Sequence, residues 1–574
     1  MSQDGKPLIV QSDKTILLEV AHSAYEEARD ALIGFAELEK SPEHVHTYRI
    51  TPLSLWNASA SGMSSDAIVS ALTRFSRYPL PGNVVRDVHE YVSRYGRIKL
   101  KRDGERLVLS FADPAIALET WSNPRVQPLL LDRISDTSFV VDPQNRGHIK
   151  QVLTRLGYPV QDVAGYRQGA RLDLLFRDTT LSGKTLRLRQ YQEQAVEAFY
   201  AGGKAHGGSG IVVLPCGSGK TLIGIGVIAR LQCETLVLAT NVVAVRQWID
   251  ELMDKCHVSR DMIGEYTGEM KEIRPITVST YQILTHRRRR DEDFPHFKLF
   301  SSKDWGLIVY DEVHLLPAPV FRITAELQAT RRLGLTATLV REDGQEEDVF
   351  SLIGPKKFDM PWKDLERQGW IATAICHEIR VRLPEDLRLE YAVADPKTKF
   401  RVASENPVKM SLVRDLVKIH GSDQVLIIGQ YLDQLARISE ELRAPLITGK
   451  TPNADREKLY QDFKSGVLKV LVVSKVANFA VDLPDANIAI QVSGTFGSRQ
   501  EEAQRLGRVL RPKRNGRPAI FYSLVTTETK DQDFAAKRQL FLTEQGYYYH
   551  IWDSREFLAA GNGALSGGRL RDES

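Results

Sequence analysis

Short runs of aliphatic and β-branched residues, each followed by residues at helical spacing, recur in two series along this chain. The first comprises 211–214, 236–238, 276–278, 307–310 and 333–336; the second comprises 425–428, 470–473, 488–492 and 520–525. Runs this short and this apolar fit strands buried on both faces, and parallel strands need crossover helices to return the chain. The pattern predicts an α/β chain with two parallel sheets in tandem, divided near residue 378. The 574 residues are 42% hydrophobic and 26% charged, enough for several domains with cores of their own, which excludes bulk disorder. No stretch approaches the length of an apolar membrane span, and the start, MSQDGKPLIV, lacks the basic segment and apolar block of a secretory signal.

Charge nearly balances, with 77 Lys and Arg against 73 Asp and Glu. That excludes a histone-like polycation but not an enzyme of nucleic acids, where local clustering decides. The four cysteines, at 216, 233, 256 and 376, form no Cys-x-x-Cys pair. Zinc ribbons and cysteine-held iron–sulfur clusters therefore lack ligands, and a reducing compartment is expected.

Upstream of the sheets the reading is of small α+β domains. Residues 7–20 form a hairpin pattern turning at Ser12-Asp13, and Ala24, Ala28, Leu32 and Phe35 follow at helical spacing. From Ser64 the order is helix, turn, helix, hairpin. Ser65 or Asp66 caps a helix with Ile68, Leu72 and Phe75. A second carries Val84, Val88 and Val92, and Asp103-Gly104 joins two strands. That order is winged-helix-like, and either duplex DNA contact through 99–106 or protein docking fits it. The expected domains are 1–117, 118–180 (a separate α+β unit without a catalytic pattern), 181–378, 379–560 and a tail, 561–574.

Pro215-Cys216-Gly217-Ser218-Gly219-Lys220-Thr221 follows a strand and opens a helix. Such glycines let backbone N–H groups face phosphate oxygens; Lys220 would reach the β and γ phosphates and Thr221 would bind Mg²⁺. Leu214 stands where the general pattern has its first glycine. The strand ending Asp311-Glu312-Val313-His314 delivers two acids to a sheet edge. Asp311 would hold Mg²⁺, and Glu312 would orient and deprotonate the attacking water. In the second α/β domain, Arg505, Arg508 and Arg511 recur every three residues, on one side of a helix. They are either a solvated basic face or a set in which Arg508 and Arg511 reach the γ-phosphate from across a cleft.

On these residues the chain resembles a superfamily 2 helicase, and more closely the XPB-type DNA repair helicases. Asp311 to His314 looks like motif II, Thr336-Ala337-Thr338 like motif III, and Leu188-Arg189-Gln190-Tyr191-Gln192 like the Q-type motif. Val340-Arg341-Glu342-Asp343, 481–487 and 497–512 carry the closer match. The resemblance spans about residues 186–550 and implies two RecA-like domains, with ATP and Mg²⁺ as cofactors. It implies ATP-dependent 3′–5′ DNA translocation and duplex opening in repair.

Arg189, Gln192, Asp482 and Gln504 join the ATP site by that resemblance, Gln192 reading adenine. His314 and Thr336 to Thr338 couple hydrolysis to DNA, and Arg341, Glu342 and Asp343 are tied to strand separation, an inter-domain salt bridge being the alternative. A thumb is expected between residues 384 and 408, short and basic here. Residues 118–180 fall where the family has its damage-recognition domain. DNA contacts are expected from Thr240, Gln247, Trp248, Thr267, Gly268 and Thr280, and from Tyr431, Thr448, Gly449, Lys475 and Arg499. A capping threonine or a core tryptophan is the plain alternative at each. The basic run 286–290 reads as a solvated loop, partly neutralised by Asp291, Glu292 and Asp293, in preference to a DNA contact.

A prokaryotic, stand-alone, cytoplasmic and nucleoid-associated protein is expected, with DNA and a structure-specific nuclease as partners and no membrane. The alternatives are an ATP-gated duplex translocase or clamp that recruits a nuclease, and an RNA helicase.

Overall fold

The computed structural model describes residues 5–41, 44–204, 206–215, 217–287, 294–328, 330–339, 345–421, 423–474, 486–494 and 518–560. The chain divides into two compact units, one of Met1–Leu214 and Gly219–Met360, the other of Pro215–Ser218 and Pro361–Ser574.

The first unit begins with an antiparallel sheet of β1 (Leu8–Val10), β2 (Thr15–Glu19), β3 (Glu37–Lys40) and β4 (Val45–Arg49), in the order β1-β2-β4-β3. Helices Ser65–Phe75 and Gly82–Arg94 follow, burying Ile68, Leu72, Phe75, Val84, Val88 and Val92. The first is capped by Ser64, whose side chain accepts from Ala67 N at 3.2 Å, rather than by Ser65 or Asp66. Strands β5 (Ile98–Asp103) and β6 (Arg106–Phe111) then form the expected hairpin.

That hairpin is not a free-standing wing. It lies inside a five-stranded sheet with β7 (Leu130–Ser135), β8 (Ser138–Val141) and β9 (Val160–Asp162), ordered β7-β8-β6-β5-β9. Val108 pairs with Val140, and Ile98 with Val160. An isolated hairpin is marginal in water. Here Ile98, Leu100, Leu107 and Leu109 are covered by Phe139, Val141, Ile149 and Leu153 in one core. The expected division between 1–117 and 118–180 therefore fails, because the two stretches share a sheet.

The rest of the first unit is a seven-stranded sheet with all neighbours parallel: β10 (Ser209–Val213), β11 (Thr235–Ala239), β12 (Ile263–Tyr266), β13 (Ile276–Thr280), β14 (Leu307–Asp311), β15 (Arg331–Thr336) and β16 (Lys356–Asp359). The order is β12-β13-β11-β14-β15-β10-β16. Parallel strands share one C-terminal edge, so this order places the ends of β14, β15 and β10 side by side, with Asp311 opposite Leu335 and Val213 opposite Thr336.

The second unit repeats the plan with β17 (Ala374–Val381), β18 (Val425–Gly429), β19 (Leu446–Ile447), β20 (Val470–Ser474), β21 (Ile488–Gln491), β22 (Ala519–Thr526) and β23 (Tyr549–Asp553), again parallel and ordered β19-β20-β18-β21-β22-β17-β23. The molecule is thus an α/β protein with two RecA-like parallel sheets. The expected boundary near 378 cuts through β17, an inner strand of the second sheet; the units divide at Met360–Pro361 instead. Among the described residues no helix is long and apolar enough to cross a membrane.

Candidate nucleotide site

The glycine loop connects β10 to helix Lys220–Leu231. Gly217 and Gly219 have φ of 79° and 84°, left-handed conformations that favour glycine and bring backbone N–H groups toward one side. Within the loop the Ser218 hydroxyl donates to Pro215 O at 2.7 Å. Lys220 starts the helix and is buried, its Nζ donating to Leu214 O at 3.3 Å and standing 3.7 Å from Glu312 Oε1. Thr221 follows it in the helix's first turn.

Asp311 closes β14 at the same edge. Its Oδ2 accepts from Trp248 Nε1 at 2.9 Å, and its backbone carbonyl accepts from the Tyr281 hydroxyl at 2.9 Å. Burial, with the Glu312 charge adding to it, pushes its carboxyl up to about 6; the Trp248 hydrogen bond and the Lys220 charge oppose this. Glu312 holds φ of 51°, a strained conformation for a side chain of its kind. Its Oε2 is buried and accepts no hydrogen bond, with the His314 imidazole Nδ1 standing 3.5 Å away. A carboxylate pair beside a buried ammonium, with one oxygen unsatisfied, fits a hydrated divalent cation and an attacking water.

His314 ties this edge to the next strand. Its Nδ1 lies 2.7 Å from Thr336 Oγ1, which donates to Thr338 O at 2.6 Å and accepts from Thr338 N at 3.2 Å. The threonine hydrogen is committed to Thr338, so His314 Nδ1 carries the proton and donates. Ala337 is buried between the two threonines. A third element arrives from helix Gln190–Tyr200, where buried Gln192 accepts from Arg189 N at 2.9 Å through Oε1. Its Nε2 lies against Gly219, where a Cβ would come within 2.6 Å of it. The fold thus brings Arg189, Gln192, Gly219, Lys220, Thr221, Asp311, Glu312, His314 and Thr336 to one end of one sheet.

Some expected DNA contacts have other roles. Trp248 is 1% exposed and spends its N–H on Asp311. Thr267 is buried, donating to Glu265 Oε1 at 3.0 Å and accepting from Glu269 N and Met270 N. Thr280 is buried and caps helix Tyr281–Leu284, accepting from Ile283 N at 3.2 Å. None of these three presents a surface to a strand. Gln247 and Gly268 are exposed, and Thr240 is half-buried at the end of β11. In the second unit Tyr431 precedes helix Leu432–Leu442 with its ring 5.8 Å from the Arg401 guanidinium, and the Thr448 carbonyl accepts from Arg456 Nη2 at 3.2 Å. Cys216, Arg341, Glu342, Asp343, Lys475, Asp482, Arg499, Gln504, Arg505, Arg508 and Arg511 lie outside the described residues, as do 288–293 and 561–574. Sequence reasoning missed Tyr281 and the structural task of Trp248. An aromatic that needs a partner for its buried polar atom was the available signal.

Residues 365–563 match the family model described as ERCC3/RAD25/XPB C-terminal helicase, and residues 185–341 match the res subunit of type III restriction enzymes. Residues 8–135 match a model described as helicase conserved C-terminal domain. The chain is 52% identical over 556 residues to the DNA 3′-5′ helicase XPB of Mycobacterium tuberculosis, covering 97% of this chain and 99% of that one. It is 53% identical over 552 residues to the protein of the same name from Kineococcus radiotolerans, covering 96% and 97%. To the general transcription and DNA repair factor IIH helicase/translocase subunit XPB/SSL2 of Saccharomyces cerevisiae it is 31% identical, covering 95% and 72%.

Proposed function

The chain belongs to the XPB-type family of DNA 3′-5′ helicases, and from that premise we propose that the sheet edge at Lys220, Asp311 and Glu312 is its ATP-hydrolysing centre. It is an ATP-dependent DNA helicase of superfamily 2 that acts in repair. The observation that carries the site is the 3.7 Å approach of Lys220 Nζ to Glu312 Oε1, with Asp311 beside them, at the end where the glycine loop opens.

Each residue's task follows from its chemistry. The loop N–H groups, with those of Cys216 and Ser218, cradle phosphate oxygens, and Lys220 neutralises the β and γ phosphates. Thr221 and Asp311 would hold Mg²⁺, which would supply positive charge to spread the negative charge of the triphosphate. Glu312 exchanges its contact with Lys220 for one with the attacking water, which it orients and deprotonates. Gln192 and Arg189 take the adenine side. Asp482, Gln504, Arg508 and Arg511 complete the centre from the second domain, with the two arginines stabilising charge that develops on the γ-phosphate. His314, Thr336, Ala337 and Thr338 carry the change to the DNA-facing segments, and Arg341, Glu342 and Asp343 act at strand separation. DNA passes Thr240, Gln247 and Gly268 in the first domain and Tyr431, Thr448, Lys475 and Arg499 in the second. A structure-specific nuclease as partner and a cytoplasmic, nucleoid-associated location belong to the same reading.

The test is a fluorescent duplex with a 3′ tail, measured alongside DNA-stimulated ATPase. Lys220→Ala and Glu312→Gln should each lower ATPase by about 10³-fold or more and abolish displacement. Wild-type ATPase without displacement would reduce the reading to a translocase or clamp. An ATPase that survives both substitutions would overturn the site.

A further inference from the structure

A polar cavity lies at the opposite end of the first helicase sheet from the glycine loop. It encloses about 150 Å³, and Ser59, Lys150, Gln161, His206, Ser351 and Lys357 are among its walls. Ser209, which starts β10, and Gly354-Pro355, which lead into β16, also line it. Strand β10 rises ~3.3 Å per residue, so the cavity stands roughly 15 Å from the glycine loop.

Its electrostatics are lopsided. Asp162 lines it and is met by Arg146 at 2.8 Å and by Lys150 at 2.9 Å. Lys150 Nζ donates also to Gln328 Oε1 at 2.5 Å, which leaves one of its three protons uncommitted. Arg332, wholly buried behind this wall, donates to the carbonyls of Leu352 and Gln328 and forms no ion pair among the described residues. Lys357 donates to His206 O at 2.9 Å and likewise has no ion pair there. Arg146 and Lys150 thus share the one carboxylate, while Arg332 and Lys357 have no ion-pair partner among the described residues. Burial pushes Lys150 down to about 8 against the pull of Asp162, with the Arg332 and Arg146 charges adding to the fall, and burial lowers Lys357 as well. Unneutralised charge in such a place is unfavourable unless an opposite charge joins it.

We propose that this cavity binds a tetrahedral oxyanion of the phosphate class, held by the ammonium groups of Lys150 and Lys357, with Ser59, Ser351 and Gln161 supplying further polar atoms at the wall. The volume equals that of about five waters, room for one such ion and part of its hydration. The walls come from helix Pro52–Ala60, from β9 and from the helicase sheet, so a bound anion fastens the amino-terminal sheets to the ATP-binding one.

Equilibrium dialysis of the full chain against radiolabelled inorganic phosphate tests this, in a Lys220→Ala background that disables the glycine loop as a competing site. A single phosphate per chain should be retained. Lys357→Met should weaken it by about tenfold or more, as expected for a charged hydrogen bond. Gln161→Glu, which puts a like charge at a half-buried wall position, should do the same and decides the matter if Lys357→Met fails to fold. Lys99→Met, on an exposed strand face, should change nothing. No retained phosphate in the Lys220→Ala protein, or unchanged binding in both cavity variants, overturns the site. Displacement of the label by duplex DNA would assign the phosphate to a nucleic-acid backbone and overturn the free-ion assignment.

Discussion

Trp248 and Thr336 show how single polar atoms set the candidate nucleotide site. The indole N–H of Trp248 reaches Asp311 Oδ2 at 2.9 Å and so fixes the carboxylate from behind. Partners of this kind orient a metal-binding carboxylate, and their loss commonly costs about 10–100-fold in metal affinity. Trp248→Phe should therefore raise the Mg²⁺ concentration for half-maximal ATPase by about tenfold, while DNA affinity measured without nucleotide stays as it was. The reverse outcome, weaker DNA binding at unchanged Mg²⁺ dependence, would restore the strand-contact role that the position in sequence suggested. Thr336→Val removes the oxygen shared by His314 Nδ1 and Thr338. It should cost about 1–3 kcal/mol of stability in urea unfolding, and it should reduce strand displacement more than ATPase. Equal loss of both would make the hydroxyl a structural feature only. The sequence made Lys220, Asp311 and Glu312 legible because their chemistry is local to a loop and a strand end. It left Trp248 open between core residue and strand contact, since whether an indole is a core residue, a ligand's partner or a stacking surface depends on a strand 63 residues away.

At the scale of elements, the strands read correctly from sequence are the inner ones, and the missed ones lie mostly at sheet edges. β10, β11, β14, β15, β18 and β21 each carry a short apolar stretch at their centre because both of their faces are covered. β16 (KKFD) and β23 (YHIWD) are partly exposed edge strands, β12 is a short edge strand, and none of them has the apolar run that marks the interior. β17 is an exception: an inner strand with His377, Glu378 and Arg380, its polarity absorbed by partners that the sequence does not display. The His377 ring stacks on Tyr522 with centroids 5.2 Å apart, and its Nδ1 accepts from Trp552 Nε1 at 3.1 Å. Burial holds His377 down to about 4, with neighbouring His550 and His420 contributing. The unfolded chain takes up this proton near pH 6.5 and the folded one does not, so stability is constant above that pH and falls as pH drops below it. The full effect by about pH 4 is about 3 kcal/mol. Urea midpoints followed by tryptophan fluorescence should fall between pH 7 and pH 5, and His377→Gln should flatten the decline. A slope that His377→Gln leaves intact would assign it to other groups, such as His46, held down to about 4 in the first unit for the same reason.

At the scale of the molecule, the first unit holds the glycine loop's lysine, both acids and Gln192. Family membership and the spacing of Arg505, Arg508 and Arg511 point to the second domain for positive charge toward the far side of a γ-phosphate. The segment that carries them begins after Gly494, a position anchored within its own unit. A Cβ there would come within 2.2 Å of the Arg538 guanidinium, and the neighbouring strand end is fixed by Lys409 Nζ, which donates to Val492 O at 3.1 Å and to Asp531 Oδ2 at 2.7 Å. A buried ion pair of this kind is costly to break and gives the strand end one position. On the proposed reading, an arginine from the second domain would make hydrolysis depend on domain closure, the step that turns chemical energy into movement along DNA. Arg508→Ala should then lower the ATPase kcat by about 10³-fold or more, equivalent to at least ~4 kcal/mol of barrier. ATP binding itself should change little, since the lysine, the acids and the glutamine are untouched. Single-turnover hydrolysis beside nucleotide binding separates the two effects. A rate within about threefold of wild type would mean that the second domain contributes no charge to the reaction, and the motor would then need another source for its coupling.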